Sequence, residues 1–439
     1  NATARNDWFS TLPTTSNSIL YPSIGGSFVF SDAFDLPEVF TFGRVRASWA
    51  QVGGGTDPYQ LALNYTTVAQ GHGTASALGR ISNNNVPNNA LVPLTLTEYE
   101  VGFDVRLFNN RLGLDYAYYN KKTEDDILNA TISNTSGYSG ATVNVGEVSN
   151  TGHEFLLNVV PVQNINFNWD VTFNVSYNDN NVEQLYQDSN VLNVQNARGG
   201  GASSQHRIAF TDEDGEYFEG GYSMIVGRAH MEINGQKVYD ENGLPVQDPK
   251  TRVLGSGIHP WSGGVQNNFA YKNFNFGFLV DFKFGGDLFT GTNATTYSNG
   301  MHKATLEGRE NGLTISGVDT DGNPQTWQIA ASDPNGEGLT TVQDYYGRLA
   351  SITEYFVEDA SFIKLRSFSL GYQLPARILS SLPFSDASVS LVGRNLWLIH
   401  SKVDNVDPES TYNTSNGQGL EWFGVPQTRS FGLNLNLKF

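Results

Sequence analysis

Hydrophobic and polar residues alternate over several long segments of the chain. In 166–177, NFNWDVTFNVSY, every second residue from Phe167 to Tyr177 is apolar or aromatic, and the residues between them are polar. Successive side chains of a strand point to opposite faces, so this pattern predicts a strand with one apolar face and one polar face. The segment has 12 residues, about twice the length of an ordinary globular strand, and it is long enough to cross a bilayer at a tilt.

The same alternation recurs in 97–108, 274–284 and 431–439, with Leu279 as an exception. Charged residues such as Asp104 lie centrally on the polar faces. In a soluble sandwich these faces would form the outer surface, whereas in a membrane barrel they would line the lumen.

The alternation predicts eleven strands, at about 20–31, 42–52, 97–108, 111–122, 149–160, 166–177, 262–271, 274–284, 361–374, 386–395 and 427–439. One set of connections is short: 32–41, 109–110, 161–165, 272–273 and 375–385. The other set is long: 53–96, 123–148, 178–261, 285–360 and 396–426. Short turns on one rim and long loops on the other are typical of outer-membrane proteins. The sequence therefore predicts an all-β fold, a transmembrane antiparallel β-barrel.

The direction of the strands predicts which part of a barrel this chain forms. The last strand of such a barrel ends on the short-turn side, so residues 1–19 are expected to be the tail of an outer loop that follows a missing strand. Eleven strands alone would leave two long edges in lipid, where each unsatisfied backbone group costs several kcal/mol. We therefore expect residues 1–439 to form the C-terminal half of a larger barrel with long extracellular loops.

Composition excludes several other classes of protein. The 439 residues include no cysteine, so disulfides and thiolate metal sites are excluded. A formal net charge of −18 argues against a nucleic-acid binder, which needs a basic surface. No run of eighteen apolar residues is present to form a transmembrane helix. The mean hydropathy of −0.33 is typical of soluble proteins, but alternating strands hide their apolar residues from such averages.

No catalytic or metal-binding pattern is visible in the sequence. The seven histidines do not form HExxH, and neither GxSxG nor a phosphate-binding P-loop is present. Asp-rich segments at 212–215, 240–243 and 319–323 do not match a calcium-binding EF-hand and are predicted to be plain turns. Lone carboxylates such as Glu98 and Asp281 fit a wet lumen better than an acid–base pair. We therefore expect no enzyme activity, no cofactor and no metal.

An ordered set of segments runs through nearly the whole chain. It includes TARNDWFSTLP (3–13), YPSIGGSFVFSD (21–32), RASWAQVGGGTDPYQL (46–61), the long segment 96–128, NVGEVSNTGHEF (144–155), FGGDLFTGTN (284–293), TLEGRE (305–310), ASFIKLRSFSLGYQLP (360–375), GRNLW (393–397), VDPES (406–410) and LNLNLKF (433–439). In this order the segments resemble the SusC-like (SusC/RagA) family of TonB-dependent outer-membrane transporters of Bacteroidota.

This resemblance implies a 22-stranded barrel with an N-terminal plug, of which the chain would supply strands 12 to 22 without the plug. It also implies a protein of the bacterial outer membrane, with loops at the cell surface and outer-membrane lipid around the barrel. A SusD-like lipoprotein would cover the outer opening, and TonB with ExbB and ExbD would act through the missing N-terminal half. An oligosaccharide or a peptide would be the substrate, and two transporter–lipoprotein pairs would form a dimer.

Three groups of residues are candidates for function. The first is a C-terminal signal for barrel assembly, which is compatible with the alternative that these residues simply form the closing strand: Phe431, Leu433, Leu435, Leu437 and Phe439. The second is a set of loop aromatics that could stack on substrate, or else pack in loops or at the membrane interface: Trp261, Trp327, Tyr345, Tyr346, Trp397, Trp422 and Phe423. The third is a set of lumen-facing residues that could contact a plug: Arg44, Arg46, Arg106, Asp115 and Asp170.

The leading functional hypothesis is TonB-dependent import of a nutrient. The main alternative is a passive porin or an adhesin-type barrel without energy coupling. A secreted all-β polysaccharide-binding protein or hydrolase would instead be soluble without detergent. An outer-membrane enzyme would need a catalytic set, which the sequence does not offer.

Overall fold

The structure is a computed structural model of the 439-residue chain. It describes residues 1–68, 78–81, 83–132, 134–185, 189–197, 201–211, 215, 217–380, 383–410 and 417–439. The chain divides into two compact units. The first unit comprises Asn1–Asn193 with His206–Gly221, and the second comprises Val194–Gln205 with Tyr222–Phe439.

An antiparallel sheet dominates the first unit. Among the described residues its strands, in chain order and in spatial order, are β1 Ala2–Trp8, β2 Ser18–Val29, β3 Phe40–Gly54, β4 Leu94–Leu107, β5 Leu112–Glu124, β6 Val148–Gln163 and β7 Phe167–Val182. Each strand pairs with the next one along the chain. Consecutive pairing is the arrangement expected for strands joined by alternating turns and loops.

The second unit contains an antiparallel sheet of the same kind. Its strands are β8 Trp261–Tyr271, β9 Phe274–Phe284, β10 Phe362–Gln373, β11 Asp386–Ser401 and β12 Ser430–Lys438. The pairing of β10 with both neighbours shifts register next to Leu365, so that Arg366 has no directly opposite residue on β9 or β11. Such a bulge locally twists a strand and changes the aim of a side chain.

All eleven predicted strands are present, with ends that differ by up to six residues from the prediction. The expectation for residues 1–19 is wrong, because Ala2–Trp8 forms β1, with Ala2 opposite Ile24 and Trp8 opposite Ser18. The odd strand number expected from the sequence is therefore also wrong for the described residues. The segment ATARNDW lacks apolar alternation, so only its pairing with β2 identifies it as a strand.

The predicted long loops carry secondary structure of their own. In the first unit the shorter strands lie at Tyr65–Val68, Leu78–Ile81, Asn85–Val86, Asp126–Thr131, Gly140–Val145, Phe210–Thr211 and Tyr217–Phe218. In the second they lie at Glu232–Ile233, Gln236–Lys237, Gln247–Ser256, Asp287–Thr290, Leu313–Val318, Pro324–Ile329, Val357–Asp359 and Leu420–Glu421. Three further strands each contain residues of both units: Val191–Asn196, Ala202–Arg207 and Gly221–His230.

Helices are short. The α-helices among the described residues are Phe30–Ala33, Gly291–Ser298, Val342–Leu349 and Ala376–Leu379, and the 3₁₀-helices are Asn134–Ser136, Lys303–Leu306 and Thr353–Phe356. Thr341 and Asp344 form a capping box at the start of Val342–Leu349, which satisfies backbone N–H groups that the helix itself leaves free. Within the described residues, no helix is long and apolar enough to cross a membrane.

The short strands and helices of the second unit have their own hydrophobic cores. One core contains Ala197, Ala202, Ile225, Phe289, Ala294, Phe356 and Leu420. Another contains Tyr239, Trp327, Ile329, Val342, Tyr346 and Leu349. These cores order the chain between β9 and β10, which the sequence predicted as a loop.

Apolar and polar residues segregate to opposite faces of the sheets. On β9, Phe276 lies opposite Phe269 of β8 and Leu370 of β10, and its side chain is exposed. The preceding residue, Asn275, lies opposite Ala270 and Gly371. An exposed apolar strand face is what a lipid-facing wall requires.

Candidate functional site

A ladder of ion pairs follows the polar face of the first unit. The guanidinium of Arg46 donates to both carboxylate oxygens of Asp115, over 2.9 and 3.0 Å, and its Nε donates to Glu100 Oε1 over 3.2 Å. Nearby, Arg44 Nη2 lies 3.6 Å from Asp104 Oδ2. The bidentate geometry of Arg46 with Asp115 is the strongest form of such a pair.

Gly102 makes room for this ladder. It lies opposite Arg46 on β3 and Ala117 on β5. A Cβ at this position would lie 2.6 Å from the Tyr116 carbonyl oxygen and 2.9 Å from Arg46 Cζ. The missing side chain therefore lets the guanidinium lie flat across β4 and reach Asp115 on the far strand.

Four of the five residues predicted to face the lumen meet in this ladder. Arg44 and Arg106 both approach Asp104, at 3.6 and 3.8 Å, while Arg46 binds Asp115. The fifth, Asp170, lies apart on β7 and accepts a hydrogen bond from Asn168. All five lie on polar strand faces, and their predicted contact with a plug remains a prediction.

A second charged network lies on the polar face of the second unit. Lys364 on β10 is only 5% exposed. Its Nζ donates to Glu409 Oε2 over 2.6 Å and lies 3.3 Å from Asp407 Oδ1. A buried ammonium needs such partners, because leaving it unpaired away from water costs several kcal/mol.

Arg366, at the β-bulge of β10, extends the network. Its Nη2 donates to Glu409 Oε1 over 2.8 Å, and its Nε donates to Asp281 Oδ2 of β9 over 2.8 Å. Nη1 donates to Asn395 Oδ1 of β11 over 3.0 Å. Three neighbouring strands and the segment 407–409 are thus connected through one guanidinium.

The network changes the pKa of the Glu409 carboxyl group. Burial alone would raise its pKa, but hydrogen bonds from Arg366 and Lys364 outweigh burial and hold the pKa of Glu409 below its usual value. A cavity of about 400 Å³ adjoins Glu409 and also contacts His259 and Asp287. Burial lowers the pKa of His259 and raises the pKa of Asp287, so burial shifts both groups towards their neutral forms.

A larger cavity, of about 660 Å³, lies among the short strands and helices of the second unit. Residues from strands, helices and turns line it: Asn196, Gly201, Ala202, Ser203, Val226, Gly227, Arg228, Gln247, Thr251, Phe289, Ala294, Thr295, Ser298, Asn299, Gly347, Ala350, Ser351, Thr353 and Trp422. Its volume falls within the range of about 300–1,000 Å³ that is typical of small-molecule sites. Neither Arg228 nor this cavity was apparent from the sequence, because its lining comes from separate segments without a shared motif.

Two of the predicted substrate aromatics are core residues. Trp327 is 6% and Tyr346 is 8% exposed, and both pack in the core with Tyr239. For these two the predicted stacking on substrate is wrong, because their ring faces already contact protein. Tyr345 packs against the same core, and burial strongly raises the pKa of its hydroxyl.

Trp261 and Trp397 lie in β8 and β11 and not in loops, contrary to the prediction. Trp261 is opposite Phe284, and Trp397 is opposite Leu365. Both indoles are exposed on apolar strand faces. This position fits the alternative interpretation, an aromatic belt at the membrane interface.

Trp422 and Phe423 remain candidates for contact with substrate. Trp422 lines the larger cavity and packs against Phe289 with 6.4 Å between the ring centroids. A Cβ at Gly291 would lie 2.2 Å from Trp422 Cε3, so this glycine permits the close approach of the indole to the helix. Phe423 is 55% exposed beside it.

The Asp-rich segments behave as turns where they are described. Asp240 accepts hydrogen bonds from the backbone N–H groups of Asn242 and Leu244, at 2.9 and 3.0 Å. Asp319 accepts from the N–H groups of Asp321 and Asn323, at 2.9 Å each. Residues 212–214 lie outside the described residues. In the part of the chain that the structure describes, no group of three or more histidine or acidic residues could hold a metal ion.

The predicted assembly signal lies in β12. Its residues Phe431, Leu433, Leu435 and Leu437 are all exposed, and β12 pairs with β11. Phe439 follows the strand and contacts Phe384 edge-to-face, with 5.1 Å between the ring centroids. Recognition of this strand by assembly machinery stays a prediction.

Comparison with known proteins decides the family. The model of the TonB-dependent receptor-like β-barrel matches residues 1–253, which is more than half of the chain. The chain belongs to the TonB-dependent receptor family. Membership places this receptor chain among outer-membrane β-barrel proteins and confirms the all-β barrel class predicted from the sequence.

Relatives of this receptor chain are considerably longer than it is. TonB-dependent receptor P3 of Formosa agariphila is 26% identical over 100% of the chain and 43% of its own length. TonB-dependent receptor SusC of Bacteroides thetaiotaomicron is 24% identical over 78% of the chain and 32% of its own length. The chain thus spans less than half of these relatives.

A solved structure of the RagAB peptide importer shares the fold. It superposes with a TM-score of 0.72 at 20% identity, over 100% of this chain and 45% of that one. The resemblance to SusC and RagA predicted from the sequence is confirmed.

Proposed function

We propose that this chain is the barrel portion of a TonB-dependent importer. It would carry a nutrient, an oligosaccharide or a peptide, across the outer membrane together with a SusD-like surface lipoprotein. The observation that carries the proposal is the match of the whole of this chain to the fold of 45% of a protein described as a peptide importer. Relatives described as TonB-dependent receptors support it.

The two faces of the sheets support a position across the membrane. Exposed apolar residues such as Phe276 and Leu370 suit lipid, and the opposite faces carry the Arg46 and Arg366 networks. In a barrel without an internal domain, such walls would face water. In the proposed importer, their unused hydrogen-bonding groups would contact the plug.

The proposal is tested by nutrient depletion in three strains: wild type, a deletion of this gene and a deletion of tonB. Each strain grows in a mixed pool of oligosaccharides and tryptic peptides, and mass spectrometry measures what disappears from the medium. We expect one class of compound to be depleted by the wild type and spared by both deletions. Complementation with the intact gene should restore depletion.

Two other patterns of depletion would contradict the proposed active import. Depletion that needs this gene but persists without tonB would indicate a passive porin and would contradict active import. Equal depletion by the wild type and the gene deletion, for every compound in the pool, would contradict nutrient import altogether.

A further inference from the structure

The residues that line the larger cavity of the second unit differ in charge from the chain as a whole. The protein has 44 acidic and 26 basic residues. The described residues that line the cavity nevertheless include Arg228 and no aspartate or glutamate. Arg228 is thus the charged side chain among these lining residues, and its charge favours an anionic ligand in the cavity.

Arg228 is held in place by neighbours that also line the cavity. Its Nη1 donates to Gln247 Oε1 over 2.8 Å, and Gln247 Nε2 donates in turn to the Ser351 carbonyl oxygen over 2.6 Å. The backbone N–H of Arg228 donates to Thr353 Oγ1 over 3.2 Å. This chain of hydrogen bonds orients the guanidinium before any ligand arrives, which reduces the entropic cost of binding.

The remaining donors of Arg228 have no acidic partner among the residues that the structure describes. Arg252, on the opposite strand, lies 2.6 Å from Asp248, whereas Arg228 makes no ion pair within the described residues. A guanidinium has five N–H donors in a planar fork that matches a carboxylate. With one nitrogen engaged by Gln247, the rest of the fork is available to a carboxylate in the cavity.

The other walls suit uncharged polar groups beside that carboxylate. Hydroxyl and amide side chains such as Ser203, Thr251 and Asn299 line the cavity, with Trp422 and Phe289 as its aromatic members. These residues offer hydrogen-bond donors, hydrogen-bond acceptors and an apolar aromatic surface. A polar chain that carries a carboxylate could contact all three.

We propose that this cavity binds a carboxylate-bearing segment of the nutrient, with Arg228 as the residue that selects for the carboxylate. The shared chemistry is an anionic carboxylate on an uncharged polar chain, whether from an acidic sugar or from an acidic peptide residue. The inference rests on the proposed function, since it names a substrate class for the same importer. Its test measures binding alone.

The experiment uses the full-length transporter in detergent and isothermal titration calorimetry. Each of two pairs compares a charged probe with a neutral analogue of similar shape: trigalacturonate with its methyl ester, and acetyl-Gly-Asp-Gly-amide with acetyl-Gly-Asn-Gly-amide. We expect one charged probe to bind at least about tenfold more tightly than its neutral partner, the ratio that one charge-assisted hydrogen-bonded pair provides. The pair that shows the preference identifies the source of the carboxylate.

Variants assign the preference to Arg228. Arg228→Gln should remove the tenfold preference and leave the affinity for the neutral probe unchanged, and Arg228→Lys should retain part of it. Arg252→Gln is the matched control, because it removes the same charge from the opposite strand next to Thr251, the cross-strand partner of Arg228. The control should keep the full preference.

Two results would overturn the inference: no preference for either charged probe, or a preference that persists in Arg228→Gln. Neither result bears on the TonB dependence of nutrient depletion. Conversely, depletion that continues without tonB would contradict active import and leave the binding result intact.

Discussion

Lys364 and Arg366 are separated by one residue on the polar face of β10, and each contacts two carboxylates. Glu409 is shared between them and thus joins the two cations. Removing one member of a partly buried network leaves its partners uncompensated, which costs more than the net stabilisation by the intact pair. The network therefore fixes where segment 407–409 lies on the sheet.

The shared carboxylate makes this attachment sensitive to acid. The pKa of Glu409 is held below its ordinary value of 4.5, so its contribution to stability is complete above about pH 4.5 and is lost as pH falls through the lowered pKa. At pH 7, Glu409→Gln should lower the free energy of unfolding by about 1–3 kcal/mol, because it weakens hydrogen bonds to two cations. The difference from the wild type should shrink below about pH 4.

Chemical unfolding of the full-length protein at several pH values measures this effect. Glu310→Gln is the control, since Glu310 is exposed and makes no ion pair with the described residues. A stability loss in Glu409→Gln that stays constant from pH 7 to pH 3 would contradict the role of the ionised carboxylate.

At the scale of elements, the two faces of one strand should tolerate charge differently. Phe276 faces the apolar side of β9 and Asn275 faces the polar side. Phe276→Arg should destabilise the folded protein in lipid vesicles by about 1–4 kcal/mol, with the larger cost closer to the bilayer centre. Asn275→Arg should change stability by less than about 0.5 kcal/mol, because its side chain stays in a polar environment.

Urea unfolding in phospholipid vesicles compares these two variants with the wild type. The pair is closely matched, because the residues are adjacent and receive the same side chain. Equal costs for both substitutions would mean that β9 does not separate lipid from a polar interior.

At the scale of the whole molecule, the short strands and helices of the second unit and the segments that join them carry exposed apolar residues. They are Met301, Leu306, Leu339, Tyr355, Phe423 and Val425. Where exposed apolar residues form one contiguous patch, they mark a surface that binds another protein. The sequence predicted a lipoprotein partner from family resemblance alone, and that partner stays a proposal.

Affinity purification of the tagged, full-length transporter from mildly solubilised outer membranes should recover a SusD-like lipoprotein in roughly equal amount. The hydrophobic contact area would keep the pair together in gentle detergent. A tagged porin from the same membranes is the control and should not recover it. If the transporter is purified intact without any lipoprotein, the proposed partnership is wrong.

Much of the strand order could be predicted from the sequence because period-two alternation is a local property. Each alternating segment, such as 166–177, specifies its own two faces without reference to its neighbours. The prediction failed for Ala2–Trp8, which has the polar run Arg5-Asn6-Asp7 where a clear alternation would be needed and whose conformation depends on pairing with β2. It also failed for the segments predicted as long loops of the second unit, where short strands and helices are ordered by packing around Phe289 and Trp327.

The candidate sites were predicted less well than the fold. The polar residues of β3–β5 could be placed on one face, but the sequence does not indicate that Arg46 reaches Asp115, 69 residues away. The sequence does not predict whether an aromatic residue in a predicted loop is buried or exposed. The structure buries Trp327 and leaves Phe423 exposed.

The sequence by itself determined that this protein is built from long two-faced strands, because the alternation of side chains along a strand follows from backbone geometry alone. Only the tertiary structure decided which charges meet and which described residues line the cavity around Arg228. Arg366 and Glu409 are 43 residues apart, and Arg228 lies beside Gln247 and Ser351 only because distant segments fold together. Such contacts depend on the packing of the whole unit, and no local pattern encodes them.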